Sequence, residues 1–277
     1  MSGSQAAPDD INRAVWAQGS VVERFASAGG WIDQSERCIL SRLRAELTAP
    51  DVLDIGVGGG RTVPLLSDVA GSYVGIDFVS ELVEAASRRF PGIDLRDGDA
   101  RHLEFADASF DLVVFSINGL DAIDHDDRAI ALAEIRRVLR PTGSLVFSTH
   151  NVDGPGPSDR PWRLPPMTIR QPRSSAKALV SRATHARPAV QNYRRLHGQG
   201  SSGSDWCVET SGAHDFAIMV HYVSRTRLEQ ELRDAGFWGR IDVLDDRLGQ
   251  PVEGSDVGRC WYFNVRADVG GPFDPVE

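Results

Sequence analysis

The sequence predicts an α/β protein: a seven-stranded, mostly parallel sheet with helices on both faces, an antiparallel last strand, and a lid inserted after the fifth strand. Three observations carry this expectation. Short, continuously apolar runs alternate with helical stretches, as in strands covered on both faces. The first run, Val52 to Ile55, feeds a loop with Gly56, Gly58 and Gly60 at alternate positions. The last two apolar runs have no helix between them, so they should pair antiparallel at one edge.

The elements follow in order. Residues 1–33 read as an N-terminal tail and helical cover, with 1–12 a disordered tail and Trp16, Phe25 and Trp31 as its apolar residues. The core spans 34–150. Ile39, Leu40, Leu43 and Leu47 form one stripe of a helix over 34–47, which Ala49-Pro50 ends. Strand 52–55 is followed by a helix over 62–69, with Gly71 as its C-terminal cap. Strand 73–76 ends in Asp77; Ser80 is placed to cap the helix over 81–90, and Pro91-Gly92 stops it. Strands 93–96 and 110–116 come next, then a helix over 126–139 closed by Pro141 and Gly143, then strand 144–149. Residues 151–216 hold seven prolines and little apolar periodicity, too long for a plain connector. They read as an insertion or lid, with 205–209 and 216–223 apolar enough to be ordered. Residues 217–277 complete the same domain, with a helix over 225–235 and strands over 238–244 and 260–265.

Composition narrows the class. The chain has 277 residues, 41% hydrophobic and 25% charged, ordinary for a globular protein. No apolar run approaches the ~18–20 residues that span a bilayer, so no membrane partner is expected. The polar, acidic N-terminus shows no leader pattern. Cys38, Cys207 and Cys260 match no zinc spacing, and an odd count argues against a disulfide framework. A reduced, cytoplasmic setting is expected. The net charge of −9 disfavours nucleic acid as a partner. Residues 151–200 nevertheless carry nine Lys and Arg against Asp153 and Asp159. Lys177 is the only lysine, a bias that a GC-rich genome produces without any functional cause.

The glycine loop excludes two common nucleotide cradles. The dinucleotide fingerprint G-x-G-x-x-G fails, because its sixth position falls on Arg61 or Val63. The phosphate loop fails for want of a lysine. What remains is Asp54-x-Gly56-x-Gly58-x-Gly60, which resembles the first motif of the class I S-adenosylmethionine-dependent methyltransferases, small-molecule enzymes of the type 11/25 domain among them. That ligand has no phosphate, so no lysine is needed. The resemblance continues through Tyr73-Val74-Gly75-Ile76-Asp77 and Asp97-Gly98-Asp99-Ala100-Arg101, then Ser109-Phe110-Asp111-Leu112-Val113-Val114 and Arg136 to Gly143, with Thr142 where the family often has glycine. It covers about 50–150 and implies a Rossmann-like fold that binds S-adenosyl-L-methionine and releases S-adenosyl-L-homocysteine.

The resemblance also implies roles. Asp54 suits the ligand's ammonium, with Gly56, Gly58 and Gly60 admitting its close approach. Asp77 takes the ribose hydroxyls and Phe78 flanks the adenine. Asp99 accepts from the adenine amino group, a backbone N–H near Ala100 or Arg101 serves a ring nitrogen, and Ser116 borders the cofactor. Methyl transfer then needs a nucleophile held in line, and a base only where the nucleophile arrives protonated. His150, at the end of the fifth strand, is either that base or a histidine satisfying loop backbone. His221 is a second candidate base, and His214-Asp215 a further one from the lid side. Asn118, Asp121 and Tyr222 are candidates to hold the acceptor; Asn118 and Asp121 serve equally well to shape a turn.

The histidines do not recur at metal-ligand spacing, so no metal is expected. The signature of amino-methylating nucleic-acid enzymes is missing after the fourth strand. The expected activity is methyl transfer to O, N or C of a small molecule, and specialised metabolism is the setting it fits. An anionic acceptor would use the insertion's arginines, which a solvated lid surface explains equally. The alternatives are an RNA- or protein-directed methyltransferase and a non-catalytic cofactor-binding regulatory subunit.

Overall fold

The structure, a computed structural model, describes residues 7–27, 34–163, 184–246, 249–252, 257–258 and 260–270. Five strands run parallel: β1 (Asp51–Ile55), β2 (Ser72–Asp77), β3 (Asp94–Asp97), β4 (Phe110–Phe115) and β5 (Leu139–Asn151), in the order β3-β2-β1-β4-β5. The chain reverses its direction of progress across the sheet between β1 and β4. A crevice therefore opens beyond the C-terminal ends of these two strands.

Both edges of β5 are used beyond β4. β9 (Tyr262–Asp268) lies antiparallel along Ser144 to His150, and β8 (Ile241–Leu244) pairs antiparallel with β9. Further along, β7 (Met219–Val223) pairs parallel with His150 and Asn151, and carries β6 (Trp206–Thr210) as its antiparallel partner. The expected seven strands are thus present as β3-β2-β1-β4-β5-β9-β8. The β6–β7 hairpin raises the count to nine, so this part of the insertion extends the sheet. Its sequence explains why: Val208, Val220, Tyr222 and Val223 favour a pleated surface, and every residue of β7 is buried. His150 is paired on both edges of β5, with Tyr262 of β9 on one and Tyr222 of β7 on the other, the edge that β4 leaves after Phe147.

Continuous apolar strands arise because adjacent residues feed two cores. Val52, Leu112, Val114 and Val146 pack on Ile39 and Leu43 of α3 (Gln34–Glu46) and on Leu66 of the short α4 (Val63–Leu66). Their neighbours Leu53, Val113, Leu145 and Phe147 pack on the opposite face against α6 (His125–Val138) and α8 (Arg225–Asp234). Asp124 caps α6 through the N–H of His125, and Ser224 caps α8 through that of Arg227. α6 passes directly into β5 at Leu139, so Pro141 and Gly143 lie within the strand. α5 (Ser80–Arg89) starts one residue earlier than expected. Asp77 Oδ1 accepts the Val79 N–H there, while the Ser80 hydroxyl turns to Asp97.

The N-terminal tail is shorter than the sequence suggests. Pro8 opens a helix, α1 (Pro8–Trp16), and α2 (Gly19–Ser27) follows it. Asn12, buried in α1, clips both backbone groups of Met219: its Nδ2 donates to the carbonyl at 2.7 Å and its Oδ1 accepts the N–H at 2.9 Å. This fastens the cover to β7. In the insertion, α7 (Ala186–Leu196) precedes the hairpin. Trp31 and Lys177 lie outside the described residues. Among the described residues no helix is long and apolar enough to cross a membrane.

Phe147 carries one of the largest buried side chains between β5 and the helices. Phe147→Ala is expected to cost about 3–5 kcal/mol in urea unfolding at an unchanged slope; a loss under about 1 kcal/mol contradicts the two-core packing.

Candidate active site

A cavity of about 300 Å³ fills the crevice at the β1–β4 switch. The loop after β1, the ends of β2 and β4, and His150 form its walls, and Trp16 and Phe25 from the N-terminal helices cover it. In the loop, Gly56 and Gly58 take φ of 69° and 54°, the left-handed region that glycine adopts without strain. Gly59 lets α2 settle: a Cβ there would stand 2.3 Å from the Phe25 carbonyl. Gly60 lies off the wall, because its missing side chain makes room for the Phe90 ring, 2.4 Å from an added Cβ. Its expected contact with a ligand is therefore corrected to a packing role.

Asp54 is corrected likewise. It sits inside β1 rather than at its end, fully buried and off the cavity wall. Its Oδ2 accepts the hydroxyls of Thr62 and, at 2.8 Å, Tyr73, so it ties down the far end of the loop. Burial pushes its pKa up to about 6. Asp77 does line the cavity. Its Oδ2 accepts the Gly58 N–H at 2.8 Å and its Oδ1 the Val79 N–H at 2.9 Å. The Phe78 N–H is a third backbone donor to this carboxylate. Burial raises this carboxyl to about 6 as well.

Phe78, Ala100, Ser116 and Asp99 line the wall. Burial alone would raise the Asp99 pKa, but Arg101, bonding through side chain and backbone, holds it below the ordinary carboxylate value. The Arg101 guanidinium reaches Asp99 at 2.6 Å, Asp127 at 2.8 Å and Asp9 at 2.9 Å, which pins α1 over this end of the cavity. Arg61, missed by the sequence reading, also lines the wall. It forks onto Glu36 at 3.0 and 3.1 Å and donates to Ser116 Oγ. Its position next to Gly60 was visible in the sequence; its acidic partner, one helix earlier, was not.

The far end of the cavity holds His150 and Asn118. Ile117 and Asn118 take φ of 50° and 57°, and the Asn118 N–H donates to Ser148 Oγ at 2.7 Å. This tight reversal sets Asn118 Nδ2 3.4 Å from His150 Nε2. Asn118 Oδ1 is buried with no partner among the described residues. His150 Nδ1 lies 2.7 Å from Asp121 Oδ2. Asp121 itself is off the wall, sealed beneath the histidine, so an acceptor does not meet it.

His221 and Tyr222 are corrected too. Alternation along β7 aims Val220 at the cavity and His221 at the opposite face, where its Nε2 lies 2.9 Å from His125 Nδ1. Burial, with Arg128 and His125 nearby, drives the His221 pKa far down. Tyr222 packs beside His150 at 5.1 Å between ring centres, and is itself off the wall. His214 does line the cavity. Arg24 donates to its Nδ1 at 2.9 Å, which puts the ring proton on Nε2 and leaves Trp16 Nε1, 3.3 Å away, a contact only. Burial, then Arg24, lower its pKa to about 4. His214 Nδ1 is thus engaged by Arg24 of the cover, and His214 works as a latch. Asp215 turns outward to His185 at 2.8 Å. Among the described residues, no arginine of the insertion lines the cavity; Ser211, Ile218 and Val220, also missed, do.

Comparison with known proteins agrees with this architecture. Residues 52–143 match a family model described as a methyltransferase domain. The chain is 35% identical over 128 residues to a probable S-adenosylmethionine-dependent methyltransferase of Mycolicibacterium smegmatis, covering 46% of this chain and 48% of that one. It is 39% identical over 106 residues to a demethylmenaquinone methyltransferase of Renibacterium salmoninarum, covering 38% and 44%. The chain therefore spans less than half the length of these curated relatives. Among solved structures, the 1,6-didemethyltoxoflavin-N1-methyltransferase of Burkholderia thailandensis, with 1,6-didemethyltoxoflavin and S-adenosylhomocysteine bound, superposes with a TM-score of 0.54 at 17% identity, covering 98% of this chain and 94% of that one. At that identity the likeness is one of fold.

The raised Asp54 pKa has a stability consequence. The fold favours its protonated form, so its contribution is complete below the unfolded value, near pH 4, and is lost as pH rises through about 6. The difference in unfolding free energy between wild type and Asp54→Asn should therefore shift toward the variant between pH 4 and pH 7. A difference that stays flat across that window contradicts the burial of an ionisable carboxyl under the loop.

Proposed function

We propose that this chain, which belongs to the class I S-adenosylmethionine-dependent methyltransferases, transfers a methyl group from that cofactor to a small-molecule acceptor by in-line displacement. The observation that carries the proposal is a single covered cavity with the glycine loop, Asp77 and Asp99 at one end and His150 at the other. The residues fit the cofactor. The Asp77 carboxylate on the wall suits two adjacent ribose hydroxyls. Asp99 and the backbone at Ala100 face the same wall, suited to the adenine edge, with Phe78 beside it. Gly56 and Gly58 clear the approach of the amino-acid end. When bound, the cofactor supplies an electrophilic methyl group on a sulfonium sulfur.

The protein's share is alignment, exclusion of water and management of one proton. Trp16 and Phe25 close the cavity over the reactants. Ala122, Ile123, Ile218 and Val220 give the acceptor end an apolar surface, and His150 and Asn118 are polar groups within it. A ring nitrogen here takes the proton of an O–H or N–H nucleophile, which favours a heteroatom over carbon. The wall's two arginines, Arg61 and Arg101, are both matched by carboxylates, which favours a neutral acceptor over an anionic one. A relative in sequence, the demethylmenaquinone methyltransferase, and a neighbour in fold, the 1,6-didemethyltoxoflavin methyltransferase, are named for small molecules, in keeping with this class.

Calorimetric titration with S-adenosylmethionine tests the reading; absence of binding overturns it. Asp77→Ala is expected to weaken binding about 10- to 100-fold through lost charge-assisted hydrogen bonds. With an acceptor in hand, His150→Ala should lower kcat about 10²- to 10⁴-fold at unchanged cofactor affinity. Unchanged kcat would remove His150 as a base.

A further inference from the structure

We propose that Asp121 and Arg128 are positioning residues that hold the His150 ring with its proton on Nδ1, so that the Nε2 lone pair faces the acceptor. The inference rests on reading the cavity as a methyl-transfer site, and it assigns function to two side chains that never touch the cavity.

Asp121 is fully buried and accepts four hydrogen bonds. Oδ1 takes Thr149 Oγ1 at 2.5 Å and Arg128 Nη1 at 3.0 Å; Oδ2 takes the His150 backbone N–H at 2.6 Å and lies 2.7 Å from His150 Nδ1. An ionised carboxylate only accepts, so Nδ1 must donate, and the neutral ring then keeps its lone pair on Nε2. Arg128 is the counter-charge of Asp121 in that position. Both side chains are sealed from water, at 1% and 0% exposure, where removing one partner would strand a buried charge. Arg128 is held in turn by the Leu120 carbonyl at 3.2 Å and by Glu231 of α8 at 3.4 Å.

Two further observations point the same way. Asn118 Nδ2, a donor, stands 3.4 Å from Nε2, the arrangement expected for a lone pair there. The backbone between the two residues is forced: consecutive left-handed residues at Ile117 and Asn118 and a single turn, Gly119–Ala122, bring Asp121 back beneath His150. Such conformations are strained and persist where the surroundings impose them. A buried ion pair is a poor source of stability compared with apolar packing. Its bonds converge on the one ring that leaves the core for the cavity.

Nitrogen-15 NMR of the histidine rings in the full chain reads the tautomer directly, with His150→Gln to assign the signal. In wild type at neutral pH, His150 should show a protonated Nδ1 and an unprotonated Nε2. Asp121→Asn should move the proton to Nε2, because an amide cannot accept from all four donors. It should lower kcat at least about 100-fold, with KM and S-adenosylhomocysteine affinity held within about threefold, as when an aspartate behind a catalytic histidine becomes asparagine. A wild-type ring protonated on Nε2 overturns the proposal whether or not the variant folds, and so does an Asp121→Asn protein with unchanged tautomer and kcat. The two readings separate cleanly. An Nδ1–H ring in a protein that binds no S-adenosylmethionine defeats the methyltransferase reading alone, whereas an Nε2–H ring in an active enzyme defeats the positioning role alone.

Discussion

The replacement of β4 by β7 along one edge of β5 is the constraint on which the acceptor end of the cavity depends. β5 is thirteen residues long, more than twice β1. β9 takes one edge of it through His150; the other edge is taken by β4 as far as Phe147 and by β7 at His150 and Asn151. The change of partner on that edge falls between Phe147 and His150. The gap it leaves is walled by β7 on one side and the turn after β4 on the other. The histidine is held at that point by ladder bonds on its backbone and by Asp121 beneath its ring.

A second closure completes the site. α1 and α2 lie over the glycine loop because Gly59 permits backbone contact with Phe25, and because Asn12, Arg101 and His214 fasten the helices at three separate places. Arg101 belongs to both systems: it neutralises Asp99 on the wall and grips Asp9 on the cover. The cofactor end and its lid are therefore electrostatically coupled, and a ligand that engages Asp99 acts on the pair that holds α1 down.

Legibility in the sequence followed sequence distance. Strands β1 to β5, their order of appearance and the loop between β1 and α4 were readable, because strand, glycine turn and helix are local signals. Asp77, Asp99 and Ser116 reached the wall because each sits at a strand end or in the loop just past one, where parallel topology fixes direction. Asp54 and Gly60 belong to the same motif but face inward; a motif gives residue types and spacing, not which side a carboxylate turns. His221 failed for a related reason. Its segment was expected only to be ordered, and the face it presents depends on register with β5, which no local pattern sets. The role of Asp121 depends on Arg128, Thr149 and His150 meeting from three elements, and Arg61 depends on Glu36 in α3. Long-range pairs of this kind leave no trace in one sequence.

The most direct test of the account is an experimental structure of the full chain with S-adenosylhomocysteine bound. The account predicts both ribose hydroxyls on Asp77, adenine against Asp99 and Ala100, and the sulfur directed along the cavity toward His150. A ligand bound away from the loop at 56–59, or one whose sulfur faces away from His150, would contradict it.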